Sequence, residues 1–348
     1  IVHLLDGPGA IAAILNLLDL LNPYALFCGL TLVLLVVIIT LVVIIASWRD
    51  FDPPAESVEG SPGADAASTG AATIAPKYDS RVFFALVLAV QSCALYLFLA
   101  TDVFLFYVFF EVILVPMYFL IGGFGPGPRR TYAAAKFLIF GLLGGFVMLA
   151  SVIGLYVQSA RVGEPSYLLS TLSQLDLATD TGRWLFVGFM FAFAIKAPLV
   201  PLHTWLPDAA EESTAGSATM MVGVMDKIGT FGMIRFCLGL FPEASQWATP
   251  VVLVLATISI LYGAILAIGS RDIMRFIAYT SISHFGFIVL GIWAFTSQSL
   301  TGSTLYMLNH GMATAALFVM AGYLIKRRGS RFSRRSMSHN PSGFSNCR

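Results

Sequence analysis

The chain has 348 residues, of which 57% are hydrophobic and only 11% are charged, and its formal net charge is +1. Soluble domains carry about 25% charged residues, so this composition excludes an ordinary soluble protein and indicates a protein of the lipid bilayer. The net charge indicates no particular partner, and we expect lipid rather than nucleic acid around the chain. The four cysteines form no CxxC pair, and we expect inert thiols rather than disulfides or metal ligands.

Nine apolar stretches are candidates for membrane-spanning helices, since a span needs about 20 mostly apolar residues. They lie near residues 23–47, 82–100, 103–123, 132–157, 184–206, 214–240, 250–269, 273–295 and 301–325. We therefore predict an all-α polytopic membrane protein with about nine transmembrane helices.

Four stretches outside these spans have a different composition. Residues 1–22 lack the basic start of a signal peptide and an initiating Met, so we interpret them as an atypical N-terminal segment. Residues 48–81 are a polar loop rich in Pro, Ala, Gly and Ser. Residues 158–183 are mixed and polar, with room for a short surface helix. Residues 326–348 form a basic, Ser-rich tail that we expect to be disordered.

The basic residues of the loops predict an orientation. If the loops after the odd-numbered spans face the cytoplasm, the opposite side holds only Arg161 and Arg183. The cytoplasmic side then holds the basic tail and Arg49, Lys77, Arg81, Arg129, Arg130, Arg271 and Arg275. The positive-inside rule favours this arrangement, with the N-terminus outside.

Three charged residues fall at the centres of predicted spans, where a charge costs roughly 2.5–3.5 kcal/mol even on the lenient insertion scale. They are Glu111, Lys196 and Lys227. We interpret Glu111 and Lys196 as a coupled pair on a path for protons or ions, because each needs an opposite charge. The alternatives are a protonated Glu111 that only joins helices, and a static structural ion pair.

Two prolines should break the fifth span just after Lys196. Pro198 and Pro201 each fix φ and lack an N–H, so we predict non-helical backbone between residues 196 and 204. Broken helices at membrane depth are how many transporters build their sites.

Lys227 follows Asp226 in the next span, where small residues allow close packing of helices. On an ideal helix Asp226 points about 100° away from Lys227, so it is not an assured partner. Lys227 without a carboxylate partner would suit a proton relay. His284 and His310 lie at the centres of two later spans beside Ser, Thr and Asn residues, and histidine exchanges protons near neutral pH. A relay and a packed core position are equally good interpretations of these two histidines.

Two further features have less specific interpretations. His203 should lie near the cytoplasmic interface as a structural or entry-side residue. Asp208, Glu211 and Glu212 should form a solvated loop, unless they gather protons at a channel mouth. We find no phosphate loop, dinucleotide fingerprint or metal-ligand spacing, so no nucleotide, flavin, haem, metal or iron–sulfur cofactor is expected in this chain.

Five segments together resemble the antiporter-like subunits of respiratory complex I. They are FFEVILVPMYFLIG, IKAPLVPLHTWLPDA, DKIGTFGMIRF, IAYTSISHFGF and LNHGMATAALF. The resemblance covers roughly residues 80–325. AYTSISHFGF together with RFCLGLFPEAS is closer to the M-type branch, that of mitochondrial subunit 4, than to the L-type or N-type branch.

The resemblance implies an antiporter-like fold with two inverted five-helix repeats, each with a broken helix. Residues 82–240 would be the first repeat and 241–325 three helices of the second. Glu111 would modulate Lys196, Lys227 would be the central lysine, and His284 and His310 would relay protons toward the second half. The family's second broken helix has no counterpart after Tyr323, so we expect a truncated reading frame that cannot complete a proton path alone.

The resemblance also implies the setting. NADH, FMN, iron–sulfur clusters and quinone would be bound by other subunits, and L-like and N-like antiporter subunits would be partners. The expected activity is NADH:quinone oxidoreductase, with this chain translocating protons and holding no redox centre. The location would be the bacterial plasma membrane or, as an alternative, the mitochondrial inner membrane. Rival interpretations are a subunit of a multisubunit cation/proton antiporter and a non-functional or purely structural fragment.

Overall fold

The structure is a computed structural model that describes residues 8–48, 50, 76–163 and 165–332, with side chains from residue 27 onward. The predicted tail beyond residue 332, Arg49 and most of the predicted 48–81 loop lie outside the described residues.

Helices account for nearly all of the described secondary structure. The α-helices are α1 Pro8–Ser47, α2 Ser80–Leu99, α3 Val103–Val112, α4 Leu114–Phe124, α5 Arg130–Val162, α6 Leu169–Leu172, α7 Thr179–Lys196, α8 Trp205–Glu212, α9 Ala215–Met220, α10 Lys227–Gly232, α11 Pro242–Gly269, α12 Ile273–Ile292 and α13 Ser297–Arg328. Two π-helical segments, Met221–Met225 and Met233–Leu238, flank α10. In the described ranges, β pairing is limited to isolated bridges between Asp102 and Leu168 and between Asp272 and Phe332.

Seven helical stretches of the described chain are long and apolar enough to cross a membrane. They are Phe27–Ser47, Ser80–Leu99, Val103–Phe124, Arg130–Val162, Pro242–Gly269, Ile273–Ile292 and Ser297–Arg328. They confirm seven of the predicted spans and the polytopic all-α class. The predicted fifth and sixth spans are divided into shorter segments, so the expected count of about nine is only approximate.

Helix α1 begins earlier than predicted. Its first residue is Pro8, inside the segment that we interpreted as preceding the first span. Proline suits the first position of a helix, where its missing N–H has no intrahelical partner in any case. The polar stretch before Thr179 does contain a short helix, α6, as expected.

Helix α8 joins two groups of packed helices. Helices α11, α12 and α13 pack in sequence, and α13 also contacts α1. On the other side α5 packs against α3, α4 and α7. Because α8 contacts both α5 and α12, it connects the first group to the second.

Buried phenylalanines fill the space between α3, α7 and the second π-helical segment. The ring centroids of Phe106 and Phe236 lie 4.4 Å apart, and those of Phe110 and Phe193 lie 6.1 Å apart. Aromatic pairs in this range contribute packing energy beyond their buried area. This aromatic cluster forms an apolar wall next to the end of α7, where Lys196 lies.

Candidate functional site

The fifth predicted span is broken where the two prolines stand. Helix α7 ends at Lys196, and α8 begins only at Trp205, with turns between them. The prediction of non-helical backbone between residues 196 and 204 is therefore confirmed. The break leaves Lys196 as the last residue of α7.

Two side chains bind backbone groups that the break has freed. The Leu199 N–H bonds to the Ala194 carbonyl, so the Ile195 carbonyl loses its usual helical partner. The indole Nε1 of Trp205 donates to that Ile195 carbonyl at 2.9 Å. The Val200 N–H donates to Oγ of Ser259 in α11 at 2.9 Å. Buried backbone groups are costly when unsatisfied, so Trp205 and Ser259 stabilise the break.

Lys196 is held in an apolar pocket. The residue is 2% exposed, and its Nζ atom lies 4.5 Å from the centroid of the Phe110 ring, a cation–π arrangement. Within the described part of the chain, Nζ has no hydrogen-bond partner. A buried ammonium without a hydrogen bond is expensive, so Lys196 is a poor structural residue and a candidate functional one.

Glu111 in α3 occupies a second pocket nearby, against α5. Neither carboxylate oxygen has a hydrogen-bond partner among the described residues, and no N–O distance within 4.0 Å joins Glu111 to Lys196 there. Phe110, whose ring lies 4.5 Å from Nζ of Lys196, immediately precedes Glu111 in α3. The structure thus places the two residues of the predicted pair near each other, but without direct contact.

The π-helical segment before Lys227 creates a binding site for its side chain. The Asp226 N–H bonds to the Met221 carbonyl, five residues back, instead of to the Val222 carbonyl as an α-helix requires. Lys227 Nζ donates to the Val222 carbonyl at 2.6 Å. Single π turns in otherwise α-helical segments often mark functional sites, and this one positions a buried lysine.

Lys227 contacts His310 directly. Its Nζ lies 2.7 Å from Nδ1 of His310 in α13, and both residues are almost fully buried. The other ring nitrogen of His310, Nε2, lies 3.1 Å from Oγ of Ser281 in α12. An amine and an imidazole at this distance can pass a proton without an intervening water.

His284 continues this series of groups. Its ring centroid lies 5.5 Å from that of His310, and its Nδ1 lies 2.6 Å from the Tyr306 hydroxyl. Unlike His310, His284 is exposed on the α12 surface. The predicted residues Lys227, His284 and His310 are therefore brought together, and Tyr306 and Ser281 join them.

Asp226 is a buried acidic residue outside the set of predicted site residues. It is 0% exposed, and neither carboxylate oxygen has a hydrogen-bond partner in the described ranges. It immediately precedes α10, and α10 packs against α7, the helix that ends at Lys196. The sequence signal was present, an Asp in an apolar span, but an ideal helix directs it away from the adjacent lysine.

The acidic residues of α8 form ion pairs, so the expectation of a solvated loop was wrong. Asp208 binds Lys136 of α5 at 2.7 Å and Arg275 of α12 at 2.8 Å. Glu211 also pairs with Arg275. Glu212 accepts a hydrogen bond from the Arg129 backbone N–H at 3.0 Å. These residues, the α8 ionic cluster, tie α8 to both helix groups.

His203 lies in the break itself. It is 5% exposed, and its ring meets Tyr262 edge to face with centroids 5.2 Å apart. Its Nδ1 has no hydrogen-bond partner in the part of the chain that the structure describes. His203 is thus a packed residue of the broken helix.

Comparison with known proteins gives one family. The family described as NADH:quinone oxidoreductase/Mrp antiporter, TM, matches residues 100–339. NADH-quinone oxidoreductase subunit M of Mycobacterium tuberculosis is 56% identical over 260 residues, covering 72% of this chain and 46% of that protein. Subunit M of Pseudomonas aeruginosa is 42% identical over 245 residues, covering 68% of this chain and 48% of that protein. The chain thus spans about half the length of these relatives.

Two solved structures have a similar fold. A chain of respiratory complex I from Thermus thermophilus with bound NADH aligns with a TM-score of 0.68 and 37% identity, covering 73% of this chain and 54% of that chain. A chain of the Mrp complex from Dietzia sp. DQ12-45-1b aligns with a TM-score of 0.71, covering 88% of this chain and 31% of that chain. The second pair is only 20% identical, so it shows the shared fold alone.

Proposed function

Because this chain belongs to the NADH:quinone oxidoreductase/Mrp antiporter transmembrane family, we propose that it is a proton-translocating membrane subunit of an NADH:quinone oxidoreductase. The observation that carries the proposal is the direct contact of Lys227 with His310 at 2.7 Å, inside the protein and next to His284. Buried groups that exchange protons are expensive to keep in a membrane protein and are the usual components of proton relays.

The proposed path has two parts. Glu111 and Lys196 form the first, in which movement of the carboxylate changes how firmly the lysine ammonium holds its proton. Lys227, His310 and His284 form the second, in which the proton passes from amine to imidazole and on to the surface of α12. The aromatic cluster beside Lys196 keeps bulk water out, so that charges interact strongly there.

The proposal extends to the setting of the chain. Residues 82–240 form a first antiporter-like repeat, and residues 241–325 belong to a second repeat of inverted orientation. Redox chemistry takes place on other subunits, which bind NADH, FMN, iron–sulfur clusters and quinone. L-like and N-like antiporter subunits are membrane partners. The subunit M relatives of Mycobacterium tuberculosis and Pseudomonas aeruginosa favour the bacterial plasma membrane.

A cation/proton antiporter is the second candidate function. The fold shared with a chain of the Mrp complex supports it. The higher identity to proteins named subunit M favours the oxidoreductase. The two functions differ in their energy source, because only in the oxidoreductase does NADH oxidation drive proton movement.

The test is Glu111→Gln, introduced at the gene's own locus, with proton uptake measured in inverted membrane vesicles supplied with NADH. We expect an assembled variant whose proton uptake per NADH oxidised falls severalfold, because Gln keeps the shape but cannot carry the charge. Glu243→Gln is the matched control, since Glu243 is exposed in the first turn of α11. Unchanged uptake by an assembled Glu111→Gln variant would contradict the proposal.

A further inference from the structure

We propose that Asp226 is a further proton-carrying residue, which links Lys196 at the end of α7 to Lys227 at the start of α10. The inference rests on the proposed function, because it joins the two parts of the proposed path. It concerns a different residue from those in that path, and its test is arranged so that the two ideas fail separately.

The burial of Asp226 is the first argument. The residue is 0% exposed, and both carboxylate oxygens are without a hydrogen-bond partner among the described residues. A static structural carboxylate would be held by short ion pairs or N–H donors, since an unpaired buried charge is costly. No N–O distance within 4.0 Å joins Asp226 to either lysine in the described ranges. A structural counter-ion is therefore a poor explanation.

The position of Asp226 is the second argument. It precedes Lys227 by one residue, so the two side chains leave the helix about 100° apart. Lys227 uses its direction to reach His310. Asp226 leaves the helix in another direction, at the start of α10, which packs against α7. It is thus a buried acidic group on the helix that contacts the Lys196 helix.

Close packing of α10 against the end of α7 brings Asp226 and Lys196 into the same region. A Cβ atom at Gly229, one turn after Asp226, would overlap the backbone nitrogen of Ala197, the residue after Lys196. Only glycine permits this approach of α10 to the end of α7. The missing side chain at Gly229 therefore lets α10 pack closely against the end of α7, where Lys196 lies.

The proton steps balance without any other reactant. The Lys196 ammonium loses one N–H proton, and a carboxylate oxygen of Asp226 gains it as an O–H, so that two charges become two neutral groups. The carboxylic acid then gives this proton to a neutral Lys227 amine and becomes a carboxylate again. Because the carboxylate is beyond direct contact, one water or a side-chain rotation completes each transfer.

Charged groups from the neighbouring helices act on this transfer. Glu111 in α3 lies near Lys196 without touching it, and His310 in α13 contacts Lys227. Glu111 competes with Asp226 for interaction with Lys196, so movement of the Glu111 carboxylate would release Lys196 toward Asp226. His310 removes the proton from Lys227 at the other end, which gives the transfer a direction.

The test compares Asp226→Asn and Asp226→Glu in NADH-driven vesicles, with the gene edited at its own locus. Asn cannot carry a proton, and we expect proton transfer through this path to slow about 100-fold, the lower end of what a positioned proton-transfer group contributes. Glu keeps the carboxyl group, and we expect it to restore proton uptake. The pH dependence of that uptake should be shifted relative to the wild type. Asp272→Asn is the control, because it makes the same change at a buried Asp outside the spans.

The outcomes separate the two proposals. Normal uptake by Asp226→Asn, with impaired uptake by Glu111→Gln, would overturn the role of Asp226 and leave the proposed function standing. Normal uptake by both variants would overturn both. If Asp226→Asn does not assemble, the pH profile of Asp226→Glu decides: a displaced profile supports proton carriage, and a wild-type profile shows a structural role.

Discussion

Gly145 in α5 lies directly against the carboxylate of Glu111 in α3, and a Cβ atom at position 145 would overlap Oε1 of the glutamate. The pocket of this buried carboxylate is thus made by a missing side chain rather than by hydrogen-bond donors. The carboxylate stays free of fixed partners within the described chain and can respond to the charge of Lys196.

Gly145→Ala should therefore displace the Glu111 carboxylate. Overpacking of a buried site costs about 1–3 kcal/mol, so we expect lower thermal stability together with a severalfold loss of NADH-driven proton uptake. Gly154→Ala on the same helix is the control, because its new methyl group meets only the tip of the Leu185 side chain. Equal uptake by the two variants would show that the position of the carboxylate is unimportant.

Trp205→Phe should loosen the broken helix. Phenylalanine keeps an aromatic ring against Phe137 but loses the Nε1 donor to the Ile195 carbonyl. A buried acceptor without its donor costs about 1–3 kcal/mol. We expect this fall in unfolding free energy, measured as a lower unfolding temperature of the purified complex. Trp184→Phe, at a tryptophan that is 78% exposed, should change stability little, and an equal effect would contradict this account.

Asp208→Asn should weaken the α8 ionic cluster. The Asp208 side chain is 20% exposed and pairs with both Lys136 and Arg275, so its loss affects two helices at once. We expect a cost of about 1–3 kcal/mol, between that of an exposed pair and that of a buried pair. Asp180→Asn serves as the control, because that side chain is 92% exposed in a 3.9 Å pair. Thermal unfolding of both variants measures the difference.

Asp272→Asn should change how stability depends on pH. Burial raises the pKa of the Asp272 carboxyl, although backbone N–H donors and Arg331 oppose this rise. The folded state thus binds the proton more tightly than the unfolded chain, and stability falls as pH rises from about 3.9 through the raised pKa. Asn can still cap α12 but does not titrate. Unfolding temperatures across this pH range should therefore depend less on pH in the variant, and parallel curves would contradict the prediction.

The sequence predicts those features that depend on one residue type in one apolar stretch. Prolines at 198 and 201 predict the break, and charges at 111, 196 and 227 mark the buried groups. A proline and a charge are each costly in a membrane helix. Spatial relationships between helices are not predictable in this way. The ion pairs of Asp208 depend on partners 72 and 67 residues away, so a single sequence shows only an acidic stretch.

The direction of buried side chains is also beyond the sequence. An ideal helix directs Asp226 away from Lys227, so the sequence alone does not pair the two residues. The π-helical segment and the packing of α10 on α7 determine what each residue faces. Neither the π turn nor the packing of the two helices has a sequence pattern of its own.

The π turn at Met221–Met225 also restricts how this gene can change in length. A π turn holds one residue more than the α turn that it replaces, and its hydrogen bonds reach five residues back instead of four. Deleting a single codon within it would restore α-helical bonding. A backbone N–H would then occupy the carbonyl that now accepts from Nζ of Lys227. Substitutions within these five positions can preserve the site, whereas a one-residue deletion removes the extra residue on which it depends.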